Sequence, residues 1–409
     1  MTAPNIPAGF DFTNPDLYTE RVPLEELAEL RRVAPIWWQA TEHRANGFDD
    51  DGYWVVTRHA DIVDISRNSD VFSTYENTAL VRFASDIPRE RIEMQRLLLL
   101  NMDPPQHTEQ RGIISRGFTP RAINGLKDAL AERAQRIVAE AAATGEGDFV
   151  NDVAVELPLQ AITELMGLPQ EDRRKIFTWS NQMIGYDDPD FADVDSEAAA
   201  FAMLAYSMEV AQDRASCPMD DIATKLVTAN IDGRGLSEDE FGFFIILLAV
   251  AGNETTRNAI SHGMNAFLEN PEQWELYKEG RHQTAPDEIV RWATPVVSFQ
   301  RTALKDTQIG GVDIAKGQRV AMFYSSANHD TEVFDHPERF DITRNPNPHL
   351  GFGGTGAHHC IGANLARLEI DLIFNAIADH MPNITKLAEP RRLRSGWING
   401  LKELRVRYA

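Results

Sequence analysis

Cysteine is scarce in this chain of 409 residues, which contains only Cys217 and Cys360. Two cysteines cannot build a disulfide framework, a four-cysteine zinc site or an iron–sulfur cluster. Long apolar runs are also missing, since the longest, residues 241–252, falls short of the roughly 18 residues that cross a bilayer. The first residues lack the basic-then-apolar pattern of a secretory signal. We therefore expect a cytoplasmic protein without stable membrane insertion.

Basic residues are in deficit. Lys and Arg number 40 against 62 Asp and Glu, which gives a formal net charge of −22. This balance argues against a protein that binds nucleic acid, because such proteins need a basic surface. Repeats, low-complexity tracts and Gly/Ser linkers are absent as well. We expect one domain over residues 1–409, and a monomer.

Helical periodicity dominates what is present. Residues 126–143 place apolar side chains at spacings of three and four, as an amphipathic helix does. Segments that resemble strands are short and few, at residues 52–57, 307–324 and 401–409. The sequence therefore predicts a mainly α protein with a small β portion.

One predicted helix has clear ends. Ser237 and Glu240 have the spacing of a capping box, and the apolar pattern continues to Asn270, where Pro271 stops it. The helix would contain about 33 residues and measure roughly 50 Å. Because its first half is nearly all apolar, it should cross the core.

The middle of that helix reads "AGNETTR", an unusual choice for buried positions. Gly252 costs about 1 kcal/mol against alanine, and burying Glu254 is costly without a partner. Thr255 can bond back to the carbonyl of residue 251 and distort the helix. Two interpretations stand: a helix crossing with a paired acid, or a place where a ligand approaches the backbone.

Near the C-terminus, the stretch "GFGGTGAHHCIGANLAR" contains Gly351-x-Gly353-x-x-Gly356, the pattern of a dinucleotide-binding loop. That loop needs a strand before it and a helix directly after it. Pro346 and Pro348 exclude a central strand. The phosphate interpretation therefore fails.

Cys360 favours a metal instead. The glycines allow backbone N–H groups to approach its sulfur, and the N-terminal end of a helix stabilises a thiolate. A single thiolate is sufficient when a porphyrin supplies the other iron ligands. A buried, inert cysteine is the alternative.

The segment "GTGAHHCIG" around Cys360 resembles the cysteine-ligand loop of the cytochrome P-450 superfamily of haem-thiolate monooxygenases. The segments "AGNETT", "EIVR", "PERF" and "HTEQR" resemble the other motifs of that family. The resemblance covers essentially the whole chain. It implies the single-domain P-450 fold, with the long helix above haem b.

The resemblance also implies the roles of individual residues. Thr255, Glu254, Ala251 and Gly252 would form the catalytic segment, in which Thr255 and Glu254 supply protons to dioxygen. A buried network of Glu288, Arg291 and Arg339 would fix the cysteine loop. The residues expected to hold haem are His107, Arg111, Arg301, His358, Gly362 and Cys360, with Cys360 as the axial ligand of the iron.

Electrons must come from outside, because the chain has no flavin or iron–sulfur motif. The family uses NAD(P)H, a reductase and a ferredoxin. Arg111, Arg116, Arg121 and Lys127 form a run of basic residues without an acid, to which an acidic ferredoxin would be steered.

One departure from the family concerns the cysteine loop. The family usually has phenylalanine seven residues before the cysteine, but that position is Gly353 here, and Phe352 lies eight before. The usual stacking role is therefore not assigned to Phe352.

Long stretches, including "APIWW", "FSTYEN" and "RSGWINGLKEL", resemble the actinobacterial steroid C26/C27-monooxygenases of cholesterol degradation. The implied substrate is cholesterol or cholest-4-en-3-one, oxidised at a terminal methyl to the alcohol and onward to the acid. An apolar tunnel also fits a branched fatty acid or a terpenoid. The implied pocket residues are Leu80, Val81, Phe83, Val250, Val296 and Trp397.

Two other classes stay open from the residues. A haem-based ligand sensor would need the Cys360 loop but not Glu254 and Thr255. A peroxygenase driven by peroxide would usually lack that pair too. The presence of the acid and the alcohol therefore favours a monooxygenase.

Overall fold

The structure is a computed structural model that describes residues 4–7, 9–230 and 234–408. Ala409, the last residue of the predicted C-terminal strand, lies outside the described residues. The α-helices have these bounds: α1 (Pro15–Glu20), α2 (Leu24–Val33), α3 (His59–Arg67), α4 (Arg89–Met94), α5 (Gln106–Ser115), α6 (Pro120–Asn124), α7 (Lys127–Ala142), α8 (Glu156–Met166), α9 (Arg173–Ile184), α10 (Ser196–Ser216), α11 (Ile222–Val227), α12 (Glu238–Glu269), α13 (Pro271–Gly280), α14 (Ala285–Ala293), α15 (Tyr324–Ala327) and α16 (Ala363–His380).

The β portion is small, as the sequence predicts. The strands are β1 (Ile36–Ala40), β2 (Gly52–Val56), β3 (Phe72–Ser73), β4 (Glu146–Asp148), β5 (Ser298–Ala303), β6 (Thr307–Ile309), β7 (Val312–Ile314), β8 (Arg319–Phe323), β9 (Thr385–Lys386), β10 (Arg391–Arg392), β11 (Leu401–Glu403) and β12 (Arg405–Arg407). The fold class predicted from the sequence is confirmed.

The largest sheet has the order β1-β2-β8-β5-β3. Its strands are antiparallel except for β2 and β8, which run parallel. In the register of β5 with β8, Arg301 lies opposite Val320. The sheet thereby fixes the backbone position of Arg301.

The long predicted helix is α12. The Glu240 N–H donates to the Ser237 hydroxyl at 3.1 Å, and the Ser237 N–H donates to the Glu240 carboxylate at 2.8 Å, so the capping box is confirmed. Asn270 caps the other end, next to Pro271. Both predicted ends are therefore correct.

Helix α12 crosses the largest apolar cluster, with α14 and α16 packed against it. A Cβ added to Gly263 would lie 2.8 Å from Ile289 Cγ2 of α14 and 3.0 Å from Phe374 Cζ of α16. Glycine therefore allows the three helices to approach closely at this crossing. This contact fixes α12 relative to α16, and the site lies between these two helices.

Candidate functional site

A cavity lies between α12 and the N-terminal end of α16, and Cys360 forms part of its wall. The empty space between its lining residues is about 1580 Å³ when the mouth that opens to solvent is included. The lining combines apolar side chains of α12 with polar groups near Cys360.

One face of α12 forms the wall opposite Cys360. Leu247, Ala251, Thr255 and Ala259 all line the cavity, and they recur at intervals of four residues. The motif identified Ala251 and Thr255 but missed Leu247 and Ala259. Helical periodicity applied to the motif would have found both, because residues four apart share a helix face.

The small and polar residues of this wall have separate structural causes. A Cβ added to Gly252 would lie 2.6 Å from Ile162 Cγ1, so glycine permits the close contact with α8. The Thr255 hydroxyl donates to the carbonyl of Ala251 at 2.8 Å. Its hydrogen is therefore engaged, while its oxygen is accessible from the cavity.

Glu254 faces away from the cavity, toward α9. It is buried and forms an ion pair with Arg257, whose other guanidinium nitrogen donates to Asn181 Oδ1 at 2.9 Å. Burial raises the pKa of Glu254, and the charge of Arg257 opposes that rise. The acid is thus connected through Arg257 and Asn181 to the outer side of α9.

The glycine-rich stretch forms a loop that leads to Cys360. The Cys360 N–H donates to the Phe352 carbonyl at 2.9 Å. Gly353 and Gly356 have φ of +84° and +137°, and a Cβ at Gly356 would lie 2.2 Å from the carbonyl oxygen of Ser66. Helix α16 begins only at Ala363, with Gly362 as its N-cap. The geometry is that of a cysteine loop rather than a dinucleotide loop.

The environment of the Cys360 sulfur combines opposing effects. The side chain is accessible from the cavity, which lies inside the protein, so burial still raises the pKa of the thiol. The N–H groups of Gly362 and Ala363 and the cations Arg111 and Arg367 lower that pKa. These groups stabilise the thiolate that a metal requires.

Five groups that can carry positive charge line the same cavity: two arginines, Arg111 and Arg301, and three histidines, His107, His358 and His359. The rings of His107 and His358 lie 4.2 Å apart, and Arg111 donates to the carbonyl of His359 at 2.7 Å. Arg301 is buried and donates to the carbonyl of Gln300 at 2.7 Å. Burial, with a smaller contribution from neighbouring arginines, lowers the pKa of His107 to about 4 and that of His358 to about 2.

These groups fit the two propionates of haem. Among the described residues, Arg111 and Arg301 donate to backbone carbonyls rather than to carboxylates, and His107 Nδ1 is buried without a hydrogen-bond partner. A dianionic ligand would neutralise the arginines and accept hydrogen bonds from them. Cys360 supplies one soft ligand in the same cavity, so the donor set matches a haem.

Below the cysteine loop, Glu288 and Arg291 of α14 are fully buried. Arg291 Nε and Nη2 each donate to the Glu288 carboxylate at 2.8 Å. Arg291 also donates to the carbonyls of Asn328, Pro337 and Arg339. This network ties α14 to the segment that precedes the loop.

The place predicted for Arg339 in this network is wrong. Its side chain is 70% exposed and lies nearest to Glu338, whereas its carbonyl accepts from Arg291. Arg344, 9% exposed, is the second arginine on Glu288, at 3.1 Å. The turn presents carbonyl groups to Arg291, so the Arg339 side chain is directed to solvent.

Comparison with known proteins identifies the family. The family model "Cytochrome P450" matches residues 198–380. The chain is 66% identical over 408 residues to a "Steroid C26-monooxygenase" of Rhodococcus jostii, covering 100% of this chain and 86% of that protein. The chain belongs to the cytochrome P450 family.

Two further proteins are similar to this P450. A "Methyl-branched lipid omega-hydroxylase" of Mycobacterium tuberculosis is 42% identical over 391 residues, covering 94% of this chain and 90% of the relative. The solved structure of Mycobacterium marinum cytochrome P450 CYP268A2 in complex with pseudoionone superposes with a TM-score of 0.91 at 34% identity, covering 99% of this chain and all of that one.

Family membership makes this P450 a haem-dependent monooxygenase that uses dioxygen. The sensor class is thereby set aside. Within the described part of the chain, no helix is both long and apolar enough to cross a membrane.

Two of the predicted substrate-pocket residues lie at the cavity. Val296 lines it directly. Trp397 stacks on Phe299, a cavity-lining side chain, with 6.4 Å between ring centroids. Val250 packs partly buried against the main core, next to the cavity-lining face of α12.

Three other predicted pocket residues are placed elsewhere, which corrects the prediction. Val81 belongs to the core cluster of Tyr53 and Val55, and its carbonyl accepts from Arg319 at 3.0 Å. Phe83 packs on Phe48, and Leu80 borders the same small cluster. The side chains of Val81 and Phe83 are buried in these clusters and Leu80 is partly buried beside one, whereas the residues that line the cavity are others.

The structure assigns a place to Phe352. Its side chain lines the cavity beside Cys360, with the Arg367 guanidinium 4.6 Å from the ring centroid. Gly353, which occupies the usual phenylalanine position, and Gly356 have a left-handed backbone. Sequence comparison by fixed spacing could not show this.

Glu369 of α16 was not identified from the sequence. It is buried, and neither carboxylate oxygen has a hydrogen-bond partner within normal geometry among the described residues. Burial raises its pKa well above the usual value, and the nearby Thr256 hydroxyl partly opposes this. A lone glutamate in a helix carries no sequence signal of such an environment.

The predicted basic patch is only partly a surface feature. Arg116, Arg121 and Lys127 are exposed, and none of them has an ion-pair partner within the described ranges. Arg111 is half-buried and faces the cavity. The free surface charge is therefore contributed by the other three residues.

Proposed function

We propose that this P450 hydroxylates the terminal (C26/C27) methyl group of a sterol side chain, in cholesterol or cholest-4-en-3-one, and continues to the carboxylic acid. The observation that supports this most strongly is the 66% identity, over the whole chain, to a protein named Steroid C26-monooxygenase. The apolar lining of the cavity suits such a substrate.

In this proposal, Cys360 would supply the thiolate ligand of the haem iron, next to Gly362 at the start of α16. Arg111 and Arg301 would neutralise the propionates, and His107 and His358 would donate hydrogen bonds to them. Bound haem would supply the activation of dioxygen that places one oxygen atom in a C–H bond. Glu288 and Arg291 hold the loop that carries the cysteine.

The chain's own contribution to the reaction is proton delivery. The Thr255 hydroxyl oxygen lies at the cavity, so it can accept a proton there, and rotation of the hydroxyl away from the Ala251 carbonyl would free its own hydrogen for donation into the cavity. Glu254 takes protons from the side of Asn181, once its carboxylate leaves Arg257. Its raised pKa favours the protonated form that a donor needs.

The site of oxidation depends on positioning. A terminal methyl C–H bond is stronger than the tertiary C25–H bond, so intrinsic reactivity favours C25. Attack at the terminus therefore requires the walls to hold the methyl group nearest the reacting centre. Val296, Phe299 and the α12 face are the side chains in place to do so.

Electrons are proposed to come from NAD(P)H through a reductase and a ferredoxin. The docking surface would lie near Arg111, with the exposed Arg116, Arg121 and Lys127 giving most of its charge. Electrostatic steering of this kind weakens steeply with ionic strength. Charge reversal at Arg121 should therefore reduce the rate of reduction by ferredoxin without changing the binding of sterol.

Turnover of cholest-4-en-3-one with ferredoxin, reductase and NAD(P)H tests the proposal. Mass spectrometry should show the C26/C27 alcohol and then the acid. Mainly 25-hydroxy or ring-hydroxylated product would refute terminal sterol oxidation. Turnover with peroxide alone, at the same rate, would refute the ferredoxin-dependent route.

A second candidate is terminal hydroxylation of a methyl-branched lipid, which the 42% identity to the methyl-branched lipid omega-hydroxylase supports. Spectral titration separates the two candidates. The sterol proposal requires a lower dissociation constant for cholest-4-en-3-one than for a methyl-branched fatty acid of similar length. The reverse order would favour the second candidate.

A further inference from the structure

A compact group of side chains, Asp287, His349 and Arg367, lies on the cysteine side of the cavity. Asp287 Oδ1 accepts from His349 Nε2 at 3.0 Å and from Arg367 Nε at 2.7 Å. Asp287 directly precedes Glu288 on α14, but its side chain bonds to different residues. Asp287 therefore joins the loop before the cysteine to the first turns of α16.

The two partners of Asp287 both contact Phe352. The Arg367 guanidinium carbon lies 4.6 Å from the centre of the Phe352 ring, and the His349 ring lies 5.5 Å from it. The Gly351 N–H donates to His349 Nδ1 at 3.1 Å, so the Nε2 nitrogen carries the hydrogen that reaches Asp287. Both side chains are thus fixed in orientation by Asp287.

Phe352 in turn contacts the metal-ligand segment. Its carbonyl accepts the Cys360 N–H at 2.9 Å, and its ring lines the cavity beside Cys360. A cation held over a ring face is attracted to it. Displacement of Arg367 or His349 would therefore free the ring and loosen the backbone bond to the cysteine.

We propose that Asp287, His349 and Arg367 form a bracket of positioning residues that holds Phe352 against Cys360 and sets the electron donation of the sulfur to haem iron. Hydrogen bonds, charge and solvent access around a thiolate ligand are the means by which proteins tune such a metal. The cation of Arg367 favours the more negative, reduced site, and the fixed Phe352 carbonyl holds the backbone N–H of Cys360 in place. The inference rests on haem ligation by Cys360 and is independent of the sterol assignment.

The test uses the haem-bound enzyme and two readouts besides activity. Arg367→Gln removes the cation, so the haem reduction potential should fall, and the red-shifted carbon-monoxide band should decay several-fold faster. Arg367→Lys keeps the charge but not the planar fork. It should restore the potential and leave the faster decay.

If Arg367→Gln fails to take up haem, Asp287→Asn tests the same network of side chains. It should also shorten the lifetime of the carbon-monoxide band. Because both changes break one network, the double variant should decay no faster than the faster single variant. Additive effects, or wild-type lifetimes in the single variants, would overturn the proposal.

The chain offers a matched control at the other end of α16. Arg281 pairs with Asp379 at 2.8 Å and lies 5.9 Å from the centre of the Tyr277 ring. The two pairs have similar exposure. The side chains of Arg281 and Asp379 are 33% and 49% exposed, and those of Arg367 and Asp287 are 38% and 32% exposed. Arg281→Gln should change neither readout. Equal changes in this control would show a general loss of stability and overturn the proposal.

Discussion

The two walls of the cavity are built on opposite principles. On the cysteine side, polar groups are bonded to fixed partners: Arg291 to the Glu288 carboxylate, and the Cys360 N–H to the Phe352 carbonyl. On the α12 side, the wall is an apolar stripe from Leu247 to Ala259, interrupted by the hydroxyl of Thr255.

The difference separates two functions. A metal ligand must keep its position, and a buried network does this because moving any member leaves a charge or hydrogen bond unsatisfied. A substrate wall must accept an apolar molecule, and apolar contacts are non-directional. We therefore expect changes on the cysteine side to affect haem and folding, and changes on α12 to affect the outcome of turnover.

The largest effect is expected at Cys360. Cys360→Ala removes the soft ligand, so the red-shifted carbon-monoxide difference band should disappear. Cys217→Ala, at the exposed end of α10, should leave both spectrum and activity unchanged. A persisting band in Cys360→Ala would refute the ligand assignment.

The next effect concerns the buried ion pair. Glu288→Gln leaves the charge of Arg291 buried, with a cost of about 3–5 kcal/mol in the free energy of unfolding. Chemical denaturation and haem content would measure it. Glu275→Gln breaks a surface pair with Lys278 at the same i, i+3 spacing and should cost less than about 0.5 kcal/mol. Equal losses in the free energy of unfolding at both positions would show that burial does not increase the cost of breaking the Glu288–Arg291 pair.

On the α12 wall, Thr255→Ala should leave stability and sterol binding nearly unchanged. NAD(P)H should still be consumed, but a larger share of its electrons should appear as peroxide, because the Thr255 hydroxyl no longer delivers protons. The control is Thr228→Ala, which removes the same type of hydroxyl-to-carbonyl bond, to Thr224, at the C-terminal end of α11. A wild-type ratio of product to NAD(P)H in Thr255→Ala would exclude Thr255 from proton delivery.

The smallest effect is expected at Glu369, between the two walls. Because its folded-state pKa is raised, the folded protein binds a proton that the unfolded chain releases, so this residue lowers stability as pH rises above about 4.5. The slope is at most about 1.4 kcal/mol per pH unit for one proton. Glu369→Gln removes this dependence.

Denaturation of wild type and Glu369→Gln across pH 5 to 8 would test the sign. The stability of the variant relative to wild type should increase with pH. A difference independent of pH would show that Glu369 ionises normally.

The sequence predicted several features because they depend on neighbours along the chain. The capping box of Ser237 and Glu240 needs only three residues of spacing, and the stripe of α12 needs only helical periodicity. The prolines before Gly351 excluded a strand locally. These predictions agree with the structure because short-range geometry determines them.

Other predictions failed where long-range contacts decide. Arg344, not the Arg339 side chain, reaches Glu288 from 56 positions along the chain. Val81 and Phe83 belong to core clusters, because Tyr53 and Phe48 meet them from distant segments. A residue's type and motif position do not state which way its side chain points.

By itself, the sequence determined the family, the cysteine that faces the cavity and the long helix opposite it. These features depend on residue types at fixed spacing along the chain. Only the tertiary structure decided that Thr255 faces the cavity while Glu254 faces Arg257 and α9, and that Asp287 and Arg367 meet over Phe352 from separate helices. The physical reason is that burial, charge pairing and ring contacts depend on which distant segments pack together, and packing is a property of the whole fold.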